Sequence, residues 1–421
     1  MRIKLDTFII VFLYLSITHC FFLLPEWLFV FPIGKMYDVA LMLSIIIILF
    51  KNRWSIKYRN RQTKLIILLY SIWILFCGLE FVNALSLQSL VPAIRGIREN
   101  FLFLILFVFL NLNNDDYRRL IKLLIYLEII GALIYILQFV SNTPFLAAHY
   151  LIQKVGGIDV LRSYANIPLF NVFVPIFLLN GLIEKNYFLS RKKDIVLFAI
   201  ESICIILHFQ RSYYMCYAIA IGTCVMISKI RFGFAKKTAL MLILAILALV
   251  VLPLLFPNIF DYIKSAFTEY RDGGGNGLLR VNAVLARYKY LLENNKLLCG
   301  LGTVSADYVI PGLVSYVTTV RINDIAYGII LIRYGIAGFF AFCSFWFISG
   351  LVTLKSKTKL GKTIFIYVIS SMLLALTGEA IIDSNLILLG MLIGIWQFEI
   401  SQKASDKIQV PMLNMRYCNI R

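Results

Sequence analysis

Arginines beside apolar runs dominate the chemistry this chain can offer. Arg95 and Arg98 stand in Pro92-Ala-Ile-Arg-Gly-Ile-Arg, just ahead of an apolar run. Arg162 closes the polar stretch Ser141–Asn166, and His208-Phe-Gln-Arg211-Ser212 separates two apolar runs by only a few residues. Arg280 and Arg287 are spaced so that a helix carries them about 20° apart. Asn323-Asp324 heads a further apolar run. Guanidinium forks hold phosphate groups by paired, charge-assisted bonds and stay charged at any pH. A carboxylate beside them takes a proton from an attacking hydroxyl, while the cations stabilise charge on a departing group. A lipid diphosphate with its chain in the bilayer suits cations at the hydrocarbon boundary. The implied reaction is glycosyl transfer from a lipid-linked sugar, with no nucleotide, cofactor or metal. Two or more of Arg95, Arg98, Arg162, Arg211, Arg280 and Arg287 are candidate ligands for such a group, Asp324 is a candidate carboxylate, and His208 and Asn323 stand beside them in sequence.

Each residue also has a plainer reading. Arginine at a membrane boundary anchors a helix end. Arg280 lies on an amphipathic stretch whose apolar positions, Leu278, Val281, Leu285, Tyr288 and Leu292, suit a helix lying on a membrane. Asp324 could simply cap a helix. His19 and His149 are read as incidental. Glu128 and Glu201 fall inside apolar runs, where an acid marks either proton coupling or a buried hydrogen bond; Arg333 is their candidate partner.

The elements that must position these groups are membrane helices. The 421 residues are 61% hydrophobic, against about 45–50% for soluble domains, and mean hydropathy is +0.85. The excess is concentrated in runs such as Phe101–Leu110 and Ala239–Phe256. The formal net charge of +19 invites a nucleic-acid partner. Its distribution argues against one. The basic stretches Lys51–Lys64, Lys185–Lys193, Lys229–Lys237 and Lys355–Lys362 each follow an even number of predicted spans, where cytoplasmic loops carry Lys and Arg. The expected fold is therefore an all-α polytopic integral membrane protein with about twelve spans and both termini cytoplasmic.

Residues 1–421 form one transmembrane domain. The predicted spans are Thr7–Leu24, Tyr37–Phe50, Leu65–Leu79, Glu99–Leu110, Leu120–Val140, Ile167–Ile183, Ile195–Phe209, Ser212–Ser228, Ala239–Phe256, Ile325–Gly350, Thr363–Thr377 and Leu386–Glu399. Outer segments are then Glu80–Arg98, Ser141–Asn166, the His208–Arg211 turn, Pro257–Asp324 and Glu379–Asp383. The stretch 257–324 is one long outer loop inserted between the ninth and tenth spans. Loops that long are usually functional. Its Leu278–Leu292 region reads as an amphipathic basic helix. The start, Met1–Cys20, imitates a signal peptide, but His19 suits no cleavage site and hydrophobicity continues, so a first span is expected. The eight cysteines show no metal or disulfide spacing.

Over Gln210–Gly338 the chain resembles the O-antigen polymerase and O-antigen ligase superfamily. The resemblance rests on Gln210-Arg211-Ser212 at a span start and on Arg280 ahead of Gly300-Leu301-Gly302. Asn323-Asp324 then leads to Gly335-Ile-Ala-Gly338. The ligases are similar to one another in a histidine where this chain has Asn323-Asp324, which favours a polymerase. The resemblance implies a GT-C-like glycosyltransferase of the bacterial inner membrane. It would act on the periplasmic face, polymerising undecaprenyl-diphosphate-linked repeat units of O-antigen or capsule with inversion, and a chain-length regulator is a further implied partner. The resemblance further implies that Arg211 and Arg280 hold the diphosphate, with Arg95, Arg98, Arg162 and Arg287 in support, and that Asp324 is the base or orients the acceptor. A ligase acting on lipid A core, and a lipid-linked oligosaccharide flippase using Glu128, Glu201 and Arg333, remain the alternatives.

Overall fold

Backbone in lipid must satisfy its own hydrogen bonds, so long apolar sequence folds as helix. The computed structural model describes residues 5–21, 24, 28, 30–31, 34–52, 61–111, 117–141, 151–155, 158–162, 170–208, 210–228, 276–315, 317–321, 325–378 and 380–418; side chains at 6, 52, 117, 151–155, 158–162, 211, 276–277 and 403–418 are outside that description. The helices are α1 (Leu5–Ile17), α2 (Met36–Asn52), α3 (Arg61–Leu85) and α4 (Leu90–Arg98). A 3₁₀ segment, Glu99–Leu104, then leads into α5 (Ile105–Asn111). Next come α6 (Tyr117–Ser141), α7 (Phe170–Ile183), α8 (Arg191–Leu207) and α9 (Arg211–Ile227). The chain ends with α10 (Asn276–Glu293), α11 (Ala326–Lys355), α12 (Lys359–Leu374) and α13 (Ser384–Cys418). Among the described residues, four helices are long and apolar enough to cross a membrane: Arg61–Leu85, Arg118–Ser141, Ala326–Lys355 and Ser384–Gln402. Shorter apolar helices occupy Thr7–Ile17, Phe170–Ile183 and Ser212–Ile227. The expected ninth span, Ala239–Phe256, lies outside the described residues.

The fold is helical as expected, with two details the sequence reading did not give. One is a hairpin, in which β1 (Leu151–Val155) and β2 (Ile158–Arg162) pair antiparallel, Val155 opposite Ile158 and Leu151 opposite Arg162. In sequence Gly156-Gly157 stands between them, a pair that two-residue hairpin turns favour. The stretch Glu80–Arg98 is mostly helix rather than loop. Here α3 continues to Leu85, burying Glu80, and α4 follows after a short turn.

The centre of the bundle is α13. Leu386, Ile387, Leu389, Leu392, Ile393, Ile395 and Trp396 are all buried around its circumference, as a helix apolar on every side must be. It packs on the 3₁₀ segment, α5, α6 and α12. Gly390 and Gly394 let α5 come close, because a Cβ at these positions would stand 2.5 Å from Ile105 Cγ2 and 2.4 Å from Phe109 Cβ. This small-xxx-small pairing is a common means of close helix packing in membranes.

The loop between α10 and α11 is built into the bundle. Helix α11 breaks at Gly335, where φ is 62° and ψ −165°. The break would orphan two amides and two carbonyls. Instead Ile336 N and Ala337 N donate to Leu297 O and Leu298 O at 2.9 and 3.1 Å, and Ile332 O and Arg333 O accept from Leu301 N and Gly302 N at 2.9 and 2.8 Å. The bonds that α11 loses are thus remade, one for one, with residues 297–302. A side chain at Gly335 would meet Leu298 O at 2.4 Å, and one at Gly302 would meet Glu80 O at 2.3 Å. Replacing Gly335 with Ala puts a Cβ into both a positive-φ backbone, costing about 1–3 kcal/mol, and a backbone clash. We expect Gly335→Ala to lower the Tm of the purified protein in detergent by several degrees; an unchanged Tm would show that residues 297–302 are not fixed to α11.

Candidate functional site

A polar network sits where the starts of α2 and α13, the end of α4 and the turn of α11 before its break converge. The start of α2 is fixed by Asp38, which accepts Lys35 N–H at 2.6 Å; an acid in a first helical turn also meets the positive end of the helix dipole. Arg98, the last residue of α4, pairs with Asp38. Gly34 lies so close that a Cβ there would be 2.8 Å from Asp38 Oδ2. Asp383 precedes α13 in a left-handed conformation, φ 57°, which Asp tolerates better than most residues. It accepts hydrogen bonds from both Lys35 Nζ and Tyr37 Oη. Beside them Arg333 Nη1 binds Glu99 Oε2 at 3.0 Å. Asn100 donates to Tyr334 Oη at 2.6 Å, and Tyr70 donates to Asn100 O at 2.8 Å.

Cations Lys35, Arg98 and Arg333 thus face carboxylates Asp38, Glu99 and Asp383. A small cavity of about 10 Å³ adjoins the network, lined by apolar Trp73, Ile329, Phe342 and Leu386 together with Glu99, Arg333 and Asp383. It has room for about one water. Burial alone would raise the pKa of Asp383, but Lys35, Tyr37 and Arg98 outweigh it and hold the carboxyl below its ordinary value. Burial likewise works against the Lys35 ammonium, and Asp383 overcomes it and raises its pKa. Among the described residues this is a set of opposed ion pairs. A phosphate entering it would take the cations from their carboxylates, and a carboxylate so released is a base.

The expected site residues fall into three groups. Arg98 belongs to the network. Arg95, one turn earlier on α4, is half-buried, and its Nε is buried with no hydrogen-bond partner among the described residues. Arg280 and Arg287 share α10, whose inward face carries Ala283, Arg287 and Leu291. Arg287 is fully buried and donates to Ala283 O, Val317 O and Thr319 O at 3.0, 3.3 and 2.5 Å, so its fork clamps the loop. Leu278, Val281, Leu285, Tyr288 and Leu292 are exposed on the other side of α10. Among the described residues, its apolar stripe therefore points away from the protein, the orientation of a helix lying in a membrane interface. Ala283 packs with Ile325 at the head of α11, and Ala326 N donates to Gly378 O at 3.0 Å, just ahead of the Asp383 turn. The elements bearing Arg280, Arg333 and Asp383 are therefore neighbours.

His208 is buried, stacked on Tyr135 with ring centroids 4.4 Å apart and 3.1 Å from Asn171 Nδ2. It holds α6, α7 and α8 together at the turn before α9. Arg211 is the first residue of α9 and Arg162 the last of β2; their side chains, and Asn323 and Asp324 altogether, lie outside the described residues. One pairing is corrected. Arg333 does not meet Glu128 or Glu201 but Glu99, because it stands in the short first part of α11, before the break at Gly335. Glu128 instead accepts Tyr14 Oη at 2.5 Å.

Lys35, Asp38, Glu99 and Asp383 are not marked by the sequence. Their spacing along the chain carries no motif, and only folding joins them.

The Asp383 shift gives a testable sign. A carboxylate held below its ordinary value stabilises the fold above that value, near pH 4, and the contribution is lost as pH falls through its folded pKa. Asp383→Asn should lower Tm at neutral pH by the worth of a partly exposed ion pair, about 1 kcal/mol. It should also flatten the decline of Tm between about pH 5 and pH 3. A variant with the wild-type acid limb would mean that Asp383 carries no such pairing.

No protein-family model matches the chain, and no curated protein matches it.

Proposed function

We propose that the chain is a multi-pass glycosyltransferase of the bacterial inner membrane, with about twelve spans and both termini in the cytoplasm. It polymerises undecaprenyl-diphosphate-linked oligosaccharide units, O-antigen or capsule, on the periplasmic face. The observation that carries the reading is the cation set Lys35, Arg98 and Arg333, paired with carboxylates where helix ends converge, with Arg333 also lining a cavity shared with apolar residues. A lipid diphosphate needs that combination: donors for its phosphates and hydrocarbon beside them.

In this reading Arg211 and Arg280 grip the diphosphate together with Arg98. Arg95 and Arg162 support them, while Arg287 and His208 hold the surrounding segments. Asp324 accepts the proton of the acceptor hydroxyl, with Asn323 orienting it. The acceptor oxygen forms its bond to the anomeric carbon as the bond to the diphosphate oxygen breaks, and the leaving charge passes to the guanidinium groups. The configuration inverts because attack and departure occupy opposite faces. The outward apolar stripe of α10 would keep Arg280 at the depth of the headgroups. A chain-length regulator is a further expected partner.

Two alternatives predict different glycans. A ligase acting on lipid A core would leave long chains stranded on the lipid carrier when deleted, whereas loss of a polymerase leaves single units on the acceptor. A flippase would depend on Glu128 and Glu201, which are fully buried on α6 and α8.

In a deletion strain complemented with variants, Arg98→Ala, Arg211→Ala and Arg280→Ala should each reach the membrane at wild-type level. Each should cut repeat-unit ladders by about 10²–10³-fold, the cost of losing one donor to a departing charge. Normal ladders from all of them would refute the polymerase reading.

A further inference from the structure

A second cavity stands at the opposite end of the bundle, among the basic turns. Its volume is about 150 Å³, and it is lined by Arg118, Lys122, Asn186, Tyr187, Lys359 and Glu399, with Phe177 and Leu360 among its apolar residues. One water needs only ~10–15 Å³ of such space, so the cavity admits a polyatomic group. Several separate elements build it: the start of α6, the turn between α7 and α8, the start of α12, and α13.

The walls are fixed independently of any ligand. Asp194 accepts Phe188 N and Leu189 N at 2.7 and 3.0 Å, and Ser190 caps α8. Lys362 pairs with Glu184. Thr358 caps α12 through Gly361 N at 3.0 Å. Lys359 is 8% exposed. Its ammonium lies 4.0 Å over the Phe177 ring and donates to Asn186 O at 3.0 Å. An ammonium has three donors, and this is the one hydrogen bond its Nζ makes among the described residues. Burial lowers its pKa to about 8, only partly opposed by Asp194, Glu399 and Glu184. A buried cation with donors to spare, with Arg118 and Lys122 lining the same cavity, suits an anion.

We propose that this cavity is a second binding site, separate from the Asp383 network, that takes a phosphate ester through Arg118, Lys122 and Lys359. The chemistry fits both the headgroup of an anionic lipid and a soluble phosphate. Tyr187 on its wall and Leu189 nearby are exposed, as residues at a membrane interface commonly are.

Arg118 is exposed and Lys122 half-buried, so both can be neutralised without opening the core. The test uses the full-length protein purified in neutral detergent, with thermal stabilisation measured against rising probe. The probes are short-chain phosphatidic acid, short-chain phosphatidylcholine and inorganic phosphate. Wild type should be stabilised by phosphatidic acid but not by phosphatidylcholine, and R118Q/K122Q should need at least about tenfold more, from the loss of charge-assisted bonds. Stabilisation by phosphatidic acid alone identifies a lipid headgroup as the source. Stabilisation by inorganic phosphate as well, lost in the same variant, identifies phosphate itself. Lys359→Arg should keep binding where R118Q/K122Q loses it, since it preserves the buried charge. Equal responses of wild type and R118Q/K122Q to every probe, or no response of wild type to either phosphate probe, would overturn the site.

Discussion

A helix cannot simply stop inside a hydrophobic bundle, because each backbone amide and carbonyl left unpaired away from water costs about 1–3 kcal/mol. The break in α11 at Gly335 meets that constraint by exchange. Residues 297–298 supply the carbonyls, and residues 301–302 supply the amides, that a continuous helix would have supplied itself. Non-helical backbone at membrane depth is tolerated only where protein surrounds it, and here α3 and α4 complete the enclosure. Thr303 N donates to Glu80 O at 3.2 Å, and Ser305 N donates to Gln88 Oε1 at 3.2 Å. Gly96 of α4 lies directly on Thr303, where a Cβ would come within 1.9 Å of its carbonyl. Much of this end of the molecule takes its position from the exchange.

Arg333 is one consequence. Its carbonyl is used by Gly302, which fixes its backbone, and its side chain turns toward Glu99 rather than down the bundle. The same contact sets the height of α4 against α11, and hence of Arg98 against Asp38. A polar network of opposed charges is costly to assemble from mobile parts, since each long side chain loses rotamer freedom. Here the backbone frame bears the ordering before the charges meet. That is the condition for a site whose ion pairs can be exchanged for a ligand's without the surrounding fold giving way.

The architecture is legible where the signal is local. Long apolar runs mark the helices, and the amphipathic stretch Leu278–Leu292 marks α10, because periodicity and burial are read from neighbours in sequence. Gly300-Leu301-Gly302 and Gly335 also stand out in the sequence, but their physical role is backbone docking, with φ of 75°, 86° and 62° at the three glycines. The paired strands within 151–162 escape a sequence reading despite Gly156-Gly157, since an apolar helical chain gives little reason to seek a hairpin. Gly390 and Gly394 escape it for a like reason: the run around them reads simply as a span. Of the network, Arg98 and Arg333 stand out in the sequence, but Lys35, Asp38, Glu99 and Asp383 do not. Its members are far apart in the chain, and a lone charge at a helix end has the same appearance whether it anchors, caps or binds.

Arg287 shows why arginine count is a poor guide to a site. In the sequence it and Arg280 share one helix face near one boundary, and only the family resemblance puts Arg280 first. The fold distinguishes them by depth. Arg287 points where carbonyls of the 317–319 segment converge, and its guanidinium donates to Val317 O and Thr319 O. Arg280 lies nearer the start of α10, half-buried beside the apolar stripe that faces outward. If α10 lies in the interface by that stripe, Val281, Leu285 and Tyr288 set the depth of the helix, and Arg280 follows at the level of lipid headgroups. A helix that buries one guanidinium in the protein and turns its hydrocarbon outward suits lipid on the outside, and that same arrangement brings the other guanidinium to where a lipid's phosphates lie.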